Sequence, residues 1–326
     1  MTEPTEPTEP TEQPGQQICP VCAEPGAPDA SWCEACGADF AGKHEALTGP
    51  ACVDCGAAHE HIVEGYCSEC GRKQPAERDH HNEDLGSIVG VSDRGKRHHQ
   101  NEDSFAIGVS GDRLVAVVCD GVSTTDDPQD ASLGAAIAAR DSLVSALDSG
   151  DTDIEAMLVA AIAAAQEAAA AVPQRQGGEG PASTTIVASV LVPDAADDTM
   201  VRTWNAWLGD SRAYWLHEVD GERAVTQITT DDEFETSITR WLGADAPDTT
   251  PNIAVVEHDA GGQLLVCSDG LWKYVPAEEQ LAELLSNQQG PDGQQAAGLD
   301  LVEALVAYAN EQGGHDNTTV VIAGVL

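Results

Sequence analysis

The rhythm of polar and apolar positions changes twice along the chain. Residues 1–17 are Thr-Glu-Pro repeats with almost nothing apolar to bury, and predict a disordered acidic tail. Residues 18–85 hold only short apolar fragments, too little for an ordinary core. From residue 86 the pattern becomes that of one large domain. Apolar runs predict strands at 105–109, 113–119, 184–192, 201–208, 213–217, 225–228, 253–256, 263–267 and 318–323. Helical spacing marks 131–147, 154–172, 277–285 and 301–311. Strands follow strands through short turns and the helices come in pairs, which predicts antiparallel sheets packed by helices rather than a βαβ repeat. The expected class is therefore α+β, a layered sandwich.

Three of these strands share a peculiarity. The run 114–119 ends in Asp120-Gly121, the run 264–268 ends in Asp269-Gly270, and His315-Asp316-Asn317 opens the run 318–323. A carboxylate is poor inside a strand, so each belongs where the strand ends and the chain turns. Carboxylates gathered at strand ends call for a cation.

The region before residue 86 carries a different signal. Eight cysteines fall in four pairs: Cys19 and Cys22, Cys33 and Cys36, Cys52 and Cys55, Cys67 and Cys70. Two residues between cysteines place both thiolates on a tight knuckle, and two knuckles complete a closed four-thiolate zinc site. The expected units are a zinc ribbon at 18–40 and a second at 51–73, each holding one structural Zn²⁺. Units this small depend on the metal for folding. Residues 74–85 are polar, His80 and His81 among them, and predict a linker to a domain at 86–326.

Charge narrows the function classes. The chain has 326 residues, with 15 Lys plus Arg against 56 Asp plus Glu, a net −41. Such a chain repels nucleic-acid backbones and anionic membrane surfaces. Residues 18–70 hold one basic residue, Lys43, against nine acidic ones, so the ribbons are expected to bind a protein partner rather than nucleic acid. The Ala-rich stretch 156–172 is interrupted by Gln166 and Glu167 and makes a poor membrane span. With Thr-Glu-Pro repeats in place of a signal peptide, a cytoplasmic protein is expected.

A last set of segments occurs in a fixed order: Ser92 to Ser104 including Glu102-Asp103, then Cys119-Asp120-Gly121, Ser183-Thr184-Thr185, Gly209-Asp210-Ser211-Arg212, Ser268-Asp269-Gly270 and Asp316-Asn317-Thr318-Thr319. This series resembles the metal-dependent Ser/Thr protein phosphatases, the PPM or type 2C family, over about residues 86–326. The resemblance implies an α-β-β-α sandwich, two antiparallel sheets flanked by helix pairs. It also implies hydrolysis of phosphoserine and phosphothreonine through a water bridging two Mn²⁺ or Mg²⁺ ions. Hard divalent cations take carboxylate, carbonyl and water ligands, the donor set offered here. By resemblance, Asp120 bridges both ions, the Gly121 carbonyl binds one, Asp269 and Asp316 hold the other, Glu102 binds directly or through water, and Asp103 orients the cluster. A third metal is implied near Glu179. Partners would be phosphorylated proteins and Ser/Thr kinase signalling systems.

Departures from the family pattern lie around this cradle. His98 stands where an Arg clamps the phosphate, with Arg97 one residue earlier, so either His98 donates to the phosphate or Arg97 reaches in. Val122 to Asp127 replace a glycine-rich loop, and the flap between 228 and 239 is short. Alternation along the strands turns the thiols of Cys119 and Cys267 away from the ions. The alternative reading is an inactive phosphatase-like module that binds phosphoproteins and is scaffolded by the ribbons.

Overall fold

The computed structural model describes the backbone of residues 17–18 and 25–26, and residues 51–324 apart from 54, 64, 73, 236 and 291–292. Two compact units divide at Pro75 and Ala76.

In the first unit, Gln17–Ile18 pairs with Pro25–Gly26, while Cys19, Cys22, Cys33 and Cys36 lie outside the described residues. The second cysteine set is described. Gly56 N donates to the Cys52 carbonyl at 2.9 Å and Gly71 N to the Cys67 carbonyl at 2.8 Å, closing two matching knuckles. Gly56 at φ +74 and Gly71 at φ +72 hold the left-handed conformation each knuckle needs. Between the knuckles, Ile62–Val63 and Tyr66–Cys67 form a hairpin.

The second unit is an antiparallel sandwich. Its strands are β1 (His80–Asp84), β2 (Ile88–Asp93), β3 (Ser104–Ser110), β4 (Arg113–Cys119), β5 (Ile186–Pro193), β6 (Met200–Leu208), β7 (Arg212–Val219), β8 (Glu222–Gln227), β9 (Asn252–Asp259), β10 (Gln263–Cys267) and β11 (Thr318–Ala323). One sheet runs β9-β6-β5-β4-β3 and the other β8-β7-β10-β11-β2-β1. Four longer helices accompany them, α1 (Pro128–Asp148), α2 (Ile154–Ala170), α3 (Glu278–Asn287) and α4 (Gly298–Glu311), with a single helical turn at Asp269–Trp272.

Period-two alternation sorts every central strand into layers. On β4, Leu114, Ala116 and Val118 face the other sheet, meeting Leu264 and Val266 of β10 and Val321 of β11. The alternate residues Val115, Val117 and Cys119 pack under α1 and α2. On β10, Leu265 and Cys267 pack instead under α3 and α4. This is the expected α-β-β-α order, and it buries both thiols on the helix sides. Alanines line the contact of α1 with α2, letting the helices approach closely; Gly134 lies against Ala168.

All nine expected strands and four expected helices are present. The polar stretch 74–85 differs from the linker expected there. Glu77–Asp79 makes a short 3₁₀ turn and His80–Asp84 forms β1, paired in register with β2 along its whole length. An edge strand exposed on both faces has no alternating apolar residues to betray it. β2 also escaped the pattern. Its Gly90 is required because the Phe105 ring sits 2.5 Å from where a Cβ would stand.

Candidate active site

Both sheets end along one side of the sandwich, and the strand-end carboxylates meet there. Asp103 precedes β3 and Asp120 follows β4, whose pairing puts Ser104 opposite Cys119. Asp269 follows β10 and Asp316 precedes β11, whose pairing puts Cys267 opposite Val320. A cavity of about 650 Å³ opens between them, lined by Asp120, Gly121, Glu179, Asp210, Asp269 and Asp316 among others.

Backbone and hydroxyl contacts fix these carboxylates. Thr185 N and Thr184 Oγ1 both donate to the Asp120 carbonyl, at 2.8 and 2.9 Å, and Asp120 N donates to Thr185 Oγ1 at 3.2 Å. Gly121 admits no side chain: a Cβ there would lie 2.6 Å from the Glu102 carbonyl. Gly270 is tighter still, with the Asn317 carbonyl 1.9 Å from a notional Cβ. Asp103 is buried and accepts from Ser268 Oγ at 2.6 Å; the same hydroxyl accepts from Thr319 N at 2.9 Å. Asn317 binds the loop that carries Glu102. Its Oδ1 accepts from Glu102 N at 2.8 Å and its Nδ2 donates to the Arg94 and Gln100 carbonyls at 2.8 and 3.2 Å.

Electrostatics follow from this crowding. Burial, with Asp316 and Asp269 nearby, pushes the Asp103 carboxyl up to about 8. Burial does the same to Asp210, up to about 7, with Asp269 adding to it. Asp120 stands well above the ordinary carboxylate range, through burial and then the charges of Asp103 and Asp269. Asp269 is raised by burial and by Asp316, against the opposing pull of Lys273. Several buried carboxylates that repel one another are the signature of a cation site, because a bound dication inverts this penalty.

The donor set fits hard divalent cations. Asp269 Oδ2 is paired with Lys273 Nζ, while Asp269 Oδ1 is buried without a hydrogen-bond partner. A buried carboxylate oxygen left unpaired is costly, and a metal ligand bond would satisfy it. The carboxylates stand around a cavity rather than on a point. Among the described residues, only Cys52, Cys55, Cys67 and Cys70 bring three or more such ligand atoms within 4.8 Å of one another. In that cysteine set, Cys52 Sγ lies 3.6 Å from Cys70 Sγ and Cys55 Sγ 3.7 Å from Cys67 Sγ. Those separations match the edge of about 3.8 Å expected for a tetrahedron with Zn–S bonds of about 2.3 Å.

Asp120, Gly121, Asp269 and Asp316 line the cavity; Glu102 and Asp103 are not among its lining residues. His98 lies between two of the carboxylates, with Nε2 3.2 Å from Asp316 Oδ1 and Nδ1 3.7 Å from Glu102 Oε2. Arg97 is exposed. Glu179 is exposed on the far rim, its backbone N donating to Asp126 Oδ1 at 3.1 Å. Cys119 and Cys267 are fully buried, and burial pushes both thiols up. The short flap is a small hairpin, Glu233–Phe234 with Ser237–Ile238, and Ser237, Ile238 and Trp241 complete the rim. Ser123, Ser268, Asn317 and Lys273 were not singled out from the sequence. Ser268 and Asn317 stand beside the motif carboxylates, which was the available signal; Ser123 donates to Glu102 Oε2 from the replaced loop.

Comparison with known proteins gives a consistent answer. A model of the family described as protein phosphatase 2C matches residues 92–306. The serine/threonine protein phosphatase PstP of Mycobacterium tuberculosis is 32% identical over 255 residues, covering 72% of this chain and 44% of that protein. The chain thus spans less than half the length of that relative. The solved Mycobacterium tuberculosis PstP/Ppp structure is 28% identical with a TM-score of 0.52, covering 73% of this chain and 97% of that one. The PstP catalytic domain in complex with two manganese ions is 29% identical with a TM-score of 0.53, at the same coverages. Stp1 from Staphylococcus aureus, 20% identical with a TM-score of 0.55 over 78% of this chain and 99% of that one, shares the fold. No described helix is long and apolar enough to cross a membrane.

Proposed function

The chain belongs to the protein phosphatase 2C family, and on that premise we propose that it is a metal-dependent protein phosphatase acting on phosphoserine and phosphothreonine. The observation that carries the proposal is Asp269, with one oxygen on Lys273 and the other buried without a partner, in a cavity shared with Asp120 and Asp316. Asp120, the Gly121 carbonyl and Glu102 would hold one Mn²⁺ or Mg²⁺, and Asp120, Asp269 and Asp316 the other. Two such ions supply an acidified water as nucleophile and neutralise phosphoryl oxygens during in-line displacement.

The chain's own residues do the rest. Thr184 and Thr185 hold the Asp120 backbone, Asn317 holds the Glu102 loop, and Ser268 orients Asp103. His98 stands between Glu102 and Asp316, 3.2 Å from the Asp316 carboxylate and 3.7 Å from that of Glu102. Glu179 marks the rim position for a third ion. The four sulfurs of Cys52, Cys55, Cys67 and Cys70 would hold one structural Zn²⁺, and Cys19, Cys22, Cys33 and Cys36 a second. The ribbons would then serve docking to a protein partner, with phosphoproteins of a Ser/Thr kinase system as substrates in the cytoplasm.

Release of phosphate from a phosphothreonine peptide, measured with and without Mn²⁺ and with Asp269→Asn as control, tests the reading. Metal-dependent turnover lost in the variant supports it. No turnover by the wild type on several peptides would favour an inactive phosphoprotein-binding module.

A further inference from the structure

Among the described residues, the cavity wall carries one basic side chain. Its lining includes the carboxylates of Asp120, Glu179, Asp210, Asp245, Asp269 and Asp316, and one cation, Lys273. Arg212 and Arg175 are committed elsewhere. Arg212 forks onto Asp231, with Nε to Oδ1 at 3.0 Å and Nη2 to Oδ2 at 2.7 Å, and Arg175 pairs with Asp127. Neither His98 nor Arg97, the two candidates for the phosphate clamp, lines the cavity.

A single helical turn positions Lys273. Asp269–Trp272 forms that turn, and Lys273 N donates to the Asp269 carbonyl at 3.0 Å. Its ammonium meets Asp269 Oδ2, and about half of the side chain, 53%, is exposed. The ammonium also lies 5.9 Å from the centroid of the Trp272 ring, which is itself fixed by its Nε1 donating to the Asp210 carbonyl at 2.9 Å. An ammonium has three donors, so two remain after Asp269 takes one.

A charge count shows what those donors are for. Glu102, Asp120, Asp269 and Asp316 carry four negative charges, which two dications cancel. Asp210, Asp245 and Glu179 then leave the cavity acidic for an incoming phosphate dianion, except at Lys273. We propose that Lys273 is the phosphate-binding cation of this site, donating to a phosphoryl oxygen of the bound phosphoserine or phosphothreonine while Asp269 holds its other side. The inference rests on the phosphatase reading. Lysine is a point charge rather than a planar fork, so it captures phosphate without fixing its orientation. Its contribution therefore falls on binding more than on the chemical step.

The test uses the full chain loaded with Mn²⁺ and a phosphothreonine peptide. Lys273→Gln should raise KM, and the inhibition constant of inorganic phosphate, by about tenfold, as expected for one charged hydrogen bond at a half-exposed site. Its kcat should fall by a smaller factor than KM rises, and Lys273→Arg should recover most of the binding. Unchanged KM and phosphate inhibition overturn the proposal. A loss that lies instead in kcat, or in a raised Mn²⁺ requirement, also overturns it, because Lys273 would then serve Asp269 alone. A wild type that hydrolyses no peptide sinks the phosphatase reading, and calorimetry of inorganic phosphate binding to Mn²⁺-loaded wild type and Lys273→Gln still decides the role of the lysine.

Discussion

Asn317 Oδ1 accepts the amide of Glu102 at 2.8 Å, joining the start of β11 to the loop before β3 across 215 positions of sequence. Its Nδ2 holds two further carbonyls of that loop, so one buried amide spans the two sheets. Replacing it by alanine leaves Glu102 N, a half-buried donor, and two acceptors short of a partner. Asn317→Ala is expected to cost about 1–3 kcal/mol of stability and to raise the Mn²⁺ concentration needed for half-maximal activity. Thermal melts and a metal titration check both effects; an unchanged metal requirement would show that the Glu102 loop is held by other means.

Asp269→Asn keeps the shape of the side chain and removes its charge. Loss of a metal-ligating carboxylate is expected to lower turnover by about 100-fold or more, since metal stabilisation of transition-state charge amounts to several kcal/mol. The melting temperature without metal should not fall, because the substitution relieves repulsion from Asp316 and Asp120. Activity retained at wild-type level would remove Asp269 from the metal site.

The raised carboxyls give the ion-free fold a pH dependence of definite sign. Asp103 is pushed up to about 8 and Asp210 up to about 7, against an ordinary value of 3.8. Protons are thus bound by the folded state where the unfolded chain has released them, so this contribution is full below about pH 4 and is lost as pH rises toward about 8. Protein freed of added divalent ions should melt at a higher temperature at pH 5.5 than at pH 8. Mn²⁺ should shrink or invert that difference, because the cation takes over from the protons. Equal melting temperatures at the two pH values without metal would contradict this.

Cys67 is buried at the centre of the described cysteine set. Cys67→Ser is expected to remove one equivalent of zinc per chain, measured by elemental analysis of purified protein, and to unfold the local hairpin, which would depend on the metal for its structure. Undiminished zinc content would show that these four sulfurs are not a zinc site.

Much of this was legible in the sequence, and the exceptions share a cause. Strands such as β4 and β10 were readable because both faces are buried, giving continuous apolar runs. Asp120, Asp269 and Asp316 were readable because a carboxylate interrupts each such run. Asn317, Ser268 and Thr185 act through partners 215, 165 and 65 positions away. No local pattern announces such a partner. His98 was readable as a departure, but only the structure places it between Glu102 and Asp316. Lys273 sits four residues after Asp269, where helical spacing matters only once the turn Asp269–Trp272 is known.

The polar edge strand β1 has a practical consequence. Its residues look dispensable, and a cut at residue 86 would seem to free the whole domain. Such a cut would strip β2 of its only neighbour on that side, leaving Ile88–Asp93, buried for most of its length, as a bare sheet edge with unpaired amides and carbonyls. Bare apolar edges recruit other chains. A soluble catalytic fragment therefore has to begin by Ala76, and one begun ten residues later is expected to self-associate even though every metal-site carboxylate is still present.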